Sequence, residues 1–193
     1  KSYKFNNSNR VINHKIDITN IENFNSFLKK KVNKKQLCPD IFINCSYPHS
    51  KEWIRNNFKS VDHENYEKNI NLHLNSYIWT TKLIIEKMKI FKKKGSVLLF
   101  SSIYGVVAQN NNLYKNNKLN ENFSYPIIKN GINGGVKQFA AYYGKFNIRV
   151  NAICPGGIIN NNLKKNTKFI NNYSKICPMG RLATPEEVAN TAI

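Results

Sequence analysis

The run Ser96-Val97-Leu98-Leu99-Phe100 followed by Ser101-Ser102-Ile103-Tyr104-Gly105 decides the fold of this chain. Five residues rich in branched aliphatics, with Gly95 before them and small polar residues after them, read as a buried strand of a parallel sheet. Upstream, Ile70, Leu74, Ile78, Leu83, Ile84, Met88 and Ile90 recur every three or four residues, predicting a long helix over Asn65 to Lys93, closed by a lysine run that suits a helix C-terminus. Downstream, a second helix is predicted over Ser124 to Tyr143, then a strand over Ile148 to Ile153 and a break at Pro155-Gly156-Gly157. Towards the start, Asp40 to Asn44 is a short strand and Ile21 to Lys31 is helical, with Ile21, Phe24 and Phe27/Leu28 on one face. Val11 to Ile18 reads as a further strand ending at Asp17, Ile18 and Thr19. Strand and helix alternate, which predicts an α/β chain with a doubly wound parallel sheet of Rossmann type, helices covering both faces.

In such a sheet, ligands bind beyond the carboxyl ends of the strands, so the residues just after each strand carry the chemistry. After Phe100 comes Ser102, and the next helix opens with Tyr125-Pro126-Ile127-Ile128-Lys129. A Tyr four residues before a Lys is by itself an ordinary pair on one helix face. Beside a serine at a neighbouring strand end it describes a machine for moving a proton. A phenol, with an ordinary pKa near about 10, acts as acid/base at neutral pH only if its anion is stabilised. Lys129 supplies a positive charge one turn on, and Ser102 can hydrogen-bond the substrate oxygen. Pro126 is compatible with the helix if it falls in the first turn.

At 193 residues and 41% hydrophobic content the chain is one domain with a core of its own, well outside the composition of disordered chains. The formal charge of +19 raises the question of a nucleic-acid partner. Its distribution points away from one. The cations are lysines apart from Arg10, Arg55, Arg149 and Arg181, they are scattered, and Asn outnumbers Lys, as in sequences drawn from AT-rich genomes. A nucleic-acid binder remains the weakest of three hypotheses. Cys38, Cys45, Cys154 and Cys177 form no CxxC pair, so reduced thiols and no metal site are expected. The apolar runs are too short to span a bilayer, and the charged start Lys1 to Arg10 has no apolar segment behind it. A cytoplasmic protein that binds neither membrane nor nucleic acid is the expectation.

Taken together, these motifs resemble the short-chain dehydrogenase/reductase family, whose Ser, Tyr and Lys occur in the order of Ser102, Tyr125 and Lys129. The likeness runs almost throughout. Asp17-Ile18-Thr19 resembles the family's adenine-contacting segment, and Asn44-Cys45-Ser46-Tyr47 stands in the place of Asn-Asn-Ala-Gly. Ile148 to Ile158 resembles the strand and Pro-Gly turn beside the nicotinamide, and Met179 to Ala189 the Gly-Arg and Pro-Glu-Glu-Val-Ala stretch. The resemblance implies NAD or NADP as cofactor, a small-molecule substrate, and a homodimer or homotetramer built on the two long helices. It implies that Asp17, Ile18, Asn44, Cys45, Ser46, Tyr125, Lys129, Pro155, Gly156 and Ile158 contact the cofactor.

The departures are equally informative. The family's T-G-x-x-x-G-x-G turn has no counterpart, and Gly131, Gly134 and Gly135 fall inside a helix, where small residues suit close packing. The expectation is therefore a single domain over 1–193, truncated at both ends relative to the family, without the Gly-rich strand-turn-helix and the last strand. Where the family has a proton-relay Asn, this chain has His73, flanked by Asn71 and Asn75; a relay role and a plain core role stay open. Ser102 and Tyr125 lie 23 positions apart because Gln109 to Phe123 forms an Asn/Lys-rich insertion. This insertion and Asn44-Cys45-Ser46-Tyr47-Pro48 resemble the branch acting in bacterial flagellin modification and sialic-acid-like sugar pathways. The leading function is an oxidoreductase interconverting an alcohol and a ketone on a sugar or sugar phosphate. The alternatives are a non-catalytic fragment or pseudoenzyme, and a 3-oxoacyl reductase-like enzyme.

Overall fold

The computed structural model describes residues 11–116 and 119–193, so the reading of Lys1 to Arg10 and the part of the insertion at Asn117 and Lys118 lie outside the described residues. Three parallel strands, β1 (Ile41–Asn44), β2 (Ser96–Phe100) and β3 (Arg149–Ile153), lie in the order β1-β2-β3. Ile41 pairs with Ser96 and Ser96 with Arg149, so the strand ends line up. Among the described residues six α-helices accompany them: α1 (Ile21–Lys31), α2 (His63–Asn69), α3 (Ser76–Ile90), α4 (Ser124–Tyr143), α5 (Thr167–Ile176) and α6 (Pro185–Thr191). The parallel α/β architecture is the one expected.

Local chemistry sets the boundaries. Asn20 caps α1 by accepting from Asn23 N at 3.0 Å, with Glu22 in its first turn and Lys29 to Lys31 in its last, complementing the helix dipole. Asp62 caps α2 in the same way, accepting from Asn65 N at 2.8 Å. Between α2 and α3 the helix does not break but widens into a π-helical turn over Ile70–Asn75, so the predicted single helix runs from His63 to Ile90. It stops short of Lys93 because Lys92 turns left-handed at φ 51° and Lys93 N reaches back to Met88 O at 2.9 Å. α4 has the predicted bounds, with Pro126 in its first turn. β3 begins at Arg149 instead of Ile148, whose amide turns back to Tyr143 O.

Phe42, Asn44, Val97, Leu99, Val150 and Ala152 project from one face of the sheet, onto which α3 and α4 pack, with α1 against α3. Tyr77, Ile85, Met88, Val97, Leu99, Ile128, Ile132 and Ile148 are wholly buried there, each large aliphatic side chain stabilising by about 1.5–3 kcal/mol. Gly131 and Gly135 allow α4 this close to α3: a Cβ there would lie 2.8 Å from a Leu74 methyl and 2.4 Å from an Ile78 methyl. Gly134 faces open space.

Two expectations are corrected. Val11 to Ile18 forms no strand: Ile12 is 79% exposed, and no strand among the described residues runs beside the segment to supply its rungs. Alternating apolar residues signal a strand only where a partner exists to pair with. Nor are both sheet faces covered. The face carrying Ile41 (65% exposed), Ile43 (44%), Arg149 and Asn151 is open among the described residues, so β2 alternates between full and partial burial. No helix among the described residues is long and apolar enough to cross a membrane.

Candidate active site

The strand ends converge on one helix turn. Ser102, 5% exposed, follows β2 in an extended conformation, its Oγ accepting from Tyr104 N at 3.2 Å. Ser101 Oγ donates to Lys129 O at 2.9 Å, tying this strand end to α4. The turn Ile103–Gly105 is pressed onto the same helix. A Cβ on Gly105 would stand 2.8 Å from the Lys129 backbone, and Asn130 and Asn133 donate to Gly105 O at 3.2 and 2.9 Å. Tyr125 is placed from the other side by the insertion, where Asn122 Oδ1 accepts from Tyr125 N at 2.8 Å while Asn122 N donates to Gln109 Oε1 at 3.0 Å, closing the neck of the loop.

Lys129 is 3% exposed and donates to Phe100 O at 3.0 Å. Its Nζ stands over the rings of Tyr47 (5.5 Å), Tyr125 (5.6 Å) and Tyr77 (6.0 Å), a cation lodged among aromatic faces. Burial pulls its pKa down from 10.5 to about 8 against the opposing influence of Cys154. Burial also raises the Tyr125 phenol, and hydrogen bonding to Ser102 works in the opposite direction. Tyr125 is thus a protonated acid at neutral pH, buried among aromatic rings: Tyr47 at 6.2 Å, Trp53 and Tyr104 at 6.4 Å.

His73 lies in the π-helical turn, fully buried, with its ring 4.7 Å from Tyr47 and 6.2 Å from Tyr77. Neither ring nitrogen has a partner. Burial, then the charge of Lys129 and then His49, hold its pKa down at about 3, so the imidazole is neutral. Of the three residues read around this position only His73 points inward; Asn75 Nδ2 donates to Asn71 Oδ1 at 2.6 Å on the exposed side. π-turns insert one residue and often mark functional positions.

Among the expected cofactor residues, Asn44 is buried at the end of β1, its Oδ1 accepting from Ser46 N (3.1 Å) and Ser46 Oγ (2.6 Å), while Cys45 is exposed beside it. Pro155 O accepts from Ile103 N at 2.9 Å, which brings the Pro-Gly turn alongside the turn after β2. Pro155 and Gly156 line a cavity of about 340 Å³ with Cys154, Gly157 and Tyr173, and Ile158 pairs with Ala183 at its rim. Asp17 stands apart, exposed and held locally by Thr19, whose N and Oγ1 donate to it at 2.9 and 2.7 Å, so its carboxyl is lowered; Ile18 packs against the main core.

Sequence reasoning passed over several residues here. Tyr173 of α5 accepts from Gly157 N at 2.5 Å, bracing the Pro-Gly turn; the helical spacing of Phe169, Ile170 and Tyr173 was its signal. The insertion is more than a solvated loop, since Leu113 is 1% exposed and joins Phe169, Tyr173 and Leu182 in a second core. Tyr47, Trp53 and Tyr77 ring the site and have no local pattern that announces them.

With this geometry in place, similarity to known proteins is unambiguous. A family model described as enoyl-(acyl carrier protein) reductase matches residues 4–193. The chain is 30% identical over 185 residues to post-translational flagellin modification protein A of Campylobacter coli, covering 95% of this chain and 70% of that protein. The chain belongs to the short-chain dehydrogenase/reductase family. A short-chain dehydrogenase from Leptospira borgpetersenii, solved with bound NAD+, superimposes with a TM-score of 0.82 at 30% identity over 100% of this chain and 69% of that one. The 3-oxoacyl-(acyl-carrier-protein) reductase of Buchnera aphidicola is 28% identical over 190 residues, 91% of this chain and 67% of that protein. Two further curated relatives are matched over half their length or less.

Proposed function

We propose that this short-chain dehydrogenase/reductase chain forms the acid/base centre of an NAD(P)-dependent oxidoreductase that interconverts an alcohol and a ketone on a sugar or sugar phosphate. The observation that carries this reading is the Ser102–Tyr125–Lys129 arrangement: a buried serine at the end of β2, a buried phenol whose pKa is raised, and an immobilised ammonium 5.6 Å from its ring. The sugar class is supported by similarity to the Campylobacter flagellin modification protein across nearly the whole chain.

The residues present fit the nicotinamide-ribose end of a dinucleotide. Lys129 Nζ has three donors and gives one to Phe100 O, leaving two for ribose hydroxyls, while the Asn44 segment and the Pro155-Gly156 turn flank it. When bound, the nicotinamide supplies the hydride. Tyr125 Oη then gives its proton to the substrate oxygen, Ser102 Oγ holds that oxygen in place, and Lys129 stabilises the phenolate left behind. His73, buried and neutral, would relay protons to the ammonium through a water bridging one of its free ring nitrogens to Lys129 Nζ. Replacing His73 with Asn should keep turnover within about threefold, whereas His73→Leu should lower it about tenfold or more; equal turnover in the two variants would end the relay role.

Titration with NADH and NADPH tests the central claim. Quenching of the emission of the two tryptophans, of which Trp53 lies beside Tyr125, with a dissociation constant in the micromolar range is expected, and the preferred nucleotide settles NAD against NADP. No binding at millimolar nucleotide would instead favour a non-catalytic fragment. The 3-oxoacyl reductase-like reading is favoured by the Buchnera relative and is separated by assaying an acetoacetyl thioester against keto sugars. A cytoplasmic location and association through the outer faces of α3 and α4 complete the proposal.

A further inference from the structure

Parallel strands exchange evenly spaced rungs. Between β1 and β2 the pattern starts with Ser96 N donating to Asp40 O at 2.9 Å. Advancing both partners by four residues, 96 to 100 and 40 to 44, calls for Phe100 N donating to Asn44 O. The chain does something else. Phe100 N donates to Tyr77 Oη at 2.7 Å, and Tyr77 Oη donates to Asn44 O. A phenol hydroxyl from α3 is spliced into the last rung, as a water would be, and holds the two strand ends apart.

The next rung is lost too. Ser46 N turns to the side chain of Asn44, and Phe100 O accepts instead from Lys129 Nζ at 3.0 Å; Tyr77 Oη also lies 3.4 Å from that carbonyl, but its one hydrogen is committed to the closer Asn44 O. On its other side β2 continues to pair, Ser101 N donating to Ile153 O and Ile103 N to Pro155 O, both at 2.9 Å. The ladder therefore opens only where the ammonium sits. Tyr77 is 0% exposed, and a core position of this kind is filled as well by Phe or Leu; a buried hydroxyl there is tolerated because it completes the rung.

We propose that Tyr77 is a positioning residue: its hydroxyl occupies the last β1–β2 rung, reserves the Phe100 carbonyl for Lys129 and so fixes where the ammonium stands relative to Tyr125 and Asn44. This rests on reading Tyr125 and Lys129 as the acid/base pair. The groups facing Lys129 are Tyr125 on its own helix, Tyr47 after β1, His73 and Tyr77 on the long helix, and Cys154 after β3.

The test is Tyr77→Phe, which keeps the ring. Lysines are labelled by reductive 13C-methylation and the Lys129 resonance is assigned with Lys129→Arg. Losing a fixed carbonyl acceptor disfavours the ammonium, so its titration should move down by about half a unit or more. Where turnover is measured, kcat should fall about tenfold with KM changed less than about threefold. An unchanged Lys129 titration overturns the proposal even if the variant melts earlier, since Tyr77 would then be core support alone. If Tyr77→Phe yields no folded protein, 3-fluorotyrosine placed at position 77 alone is read instead. Its weaker acceptor oxygen should speed hydrogen exchange of the Phe100 amide and shift Lys129, and no change in either refutes the idea. The lysine titration needs no turnover, so failure here is distinct from failure of the acid/base reading, which the Tyr125 variant decides.

Discussion

Tyr125→Phe is expected to lower turnover by about a thousandfold or more while leaving the thermal midpoint within a few degrees of the parent protein. Positioned general acids contribute about 10²–10⁴ in rate, and this phenol stands beside the Lys129 ammonium at the convergence of the strand ends. The stability side follows from what Phe retains. The ring keeps its neighbours Tyr47, Trp53 and Tyr104, and the backbone amide keeps its cap on Asn122. Only the hydroxyl goes, and Ser102 Oγ still accepts from Tyr104 N, so no buried polar group is orphaned. Nicotinamide absorbance with whichever carbonyl compound the parent reduces, together with a circular-dichroism melt, checks both halves. Turnover within tenfold of the parent would remove Tyr125 from the acid/base role, and a collapsed melt would make it a structural residue.

How much of this was legible in the sequence depends on whether the deciding contact is local. α1 and α4 were readable to the residue because their signals are periodic apolar positions and caps a few residues away. Ser102, Tyr125 and Lys129 were readable because strand ends in a parallel sheet share one edge, so positions far apart in the chain can be placed together from topology alone. Val11 to Ile18 failed for the opposite reason: a strand exists only through a neighbour. The same holds for β2, whose apolar run suits burial on both faces, although covering of each face is decided by other segments. Helical spacing could place Tyr173 in a core but not at Gly157, and nothing local sets Tyr77 at the last β1–β2 rung, for a related reason. Each serves through a hydroxyl that meets backbone groups 16 or more positions away, and no spacing in the sequence encodes such a meeting. The π-helical turn at His73 is likewise a tertiary event inside a stretch whose local pattern is purely helical.

Lys129→Met should lower turnover again by about a thousandfold, yet melt within a few degrees of the parent at pH 7. Burial of the ammonium drops its pKa from 10.5 to about 8, which corresponds to about 3 kcal/mol of folding free energy withheld at neutral pH. The sign is fixed by proton counting. Below pH 8 both folded and unfolded chains carry the proton and the penalty is present in full. Between pH 8 and 10.5 the unfolded chain still holds a proton that the folded one has released, so stability rises with pH across that window and levels off above it. Methionine fills a similar volume without a charge to desolvate, which removes the penalty. Against this stands the loss of the bond to Phe100 O, about 1–2 kcal/mol, and of the contacts with the rings of Tyr47, Tyr77 and Tyr125, about 0.5–1 kcal/mol each. The two sides nearly cancel at pH 7, and the clearer signature is the slope: the parent should gain stability from pH 8 to 10.5 and the Met variant should not. Denaturation melts at pH 7, 8, 9 and 10 decide it, a persisting slope in the variant assigning the titration to another group. A lysine that contributes so little to the fold at neutral pH, and is nevertheless held among three tyrosines at the meeting point of the strand ends, stands there for its charge.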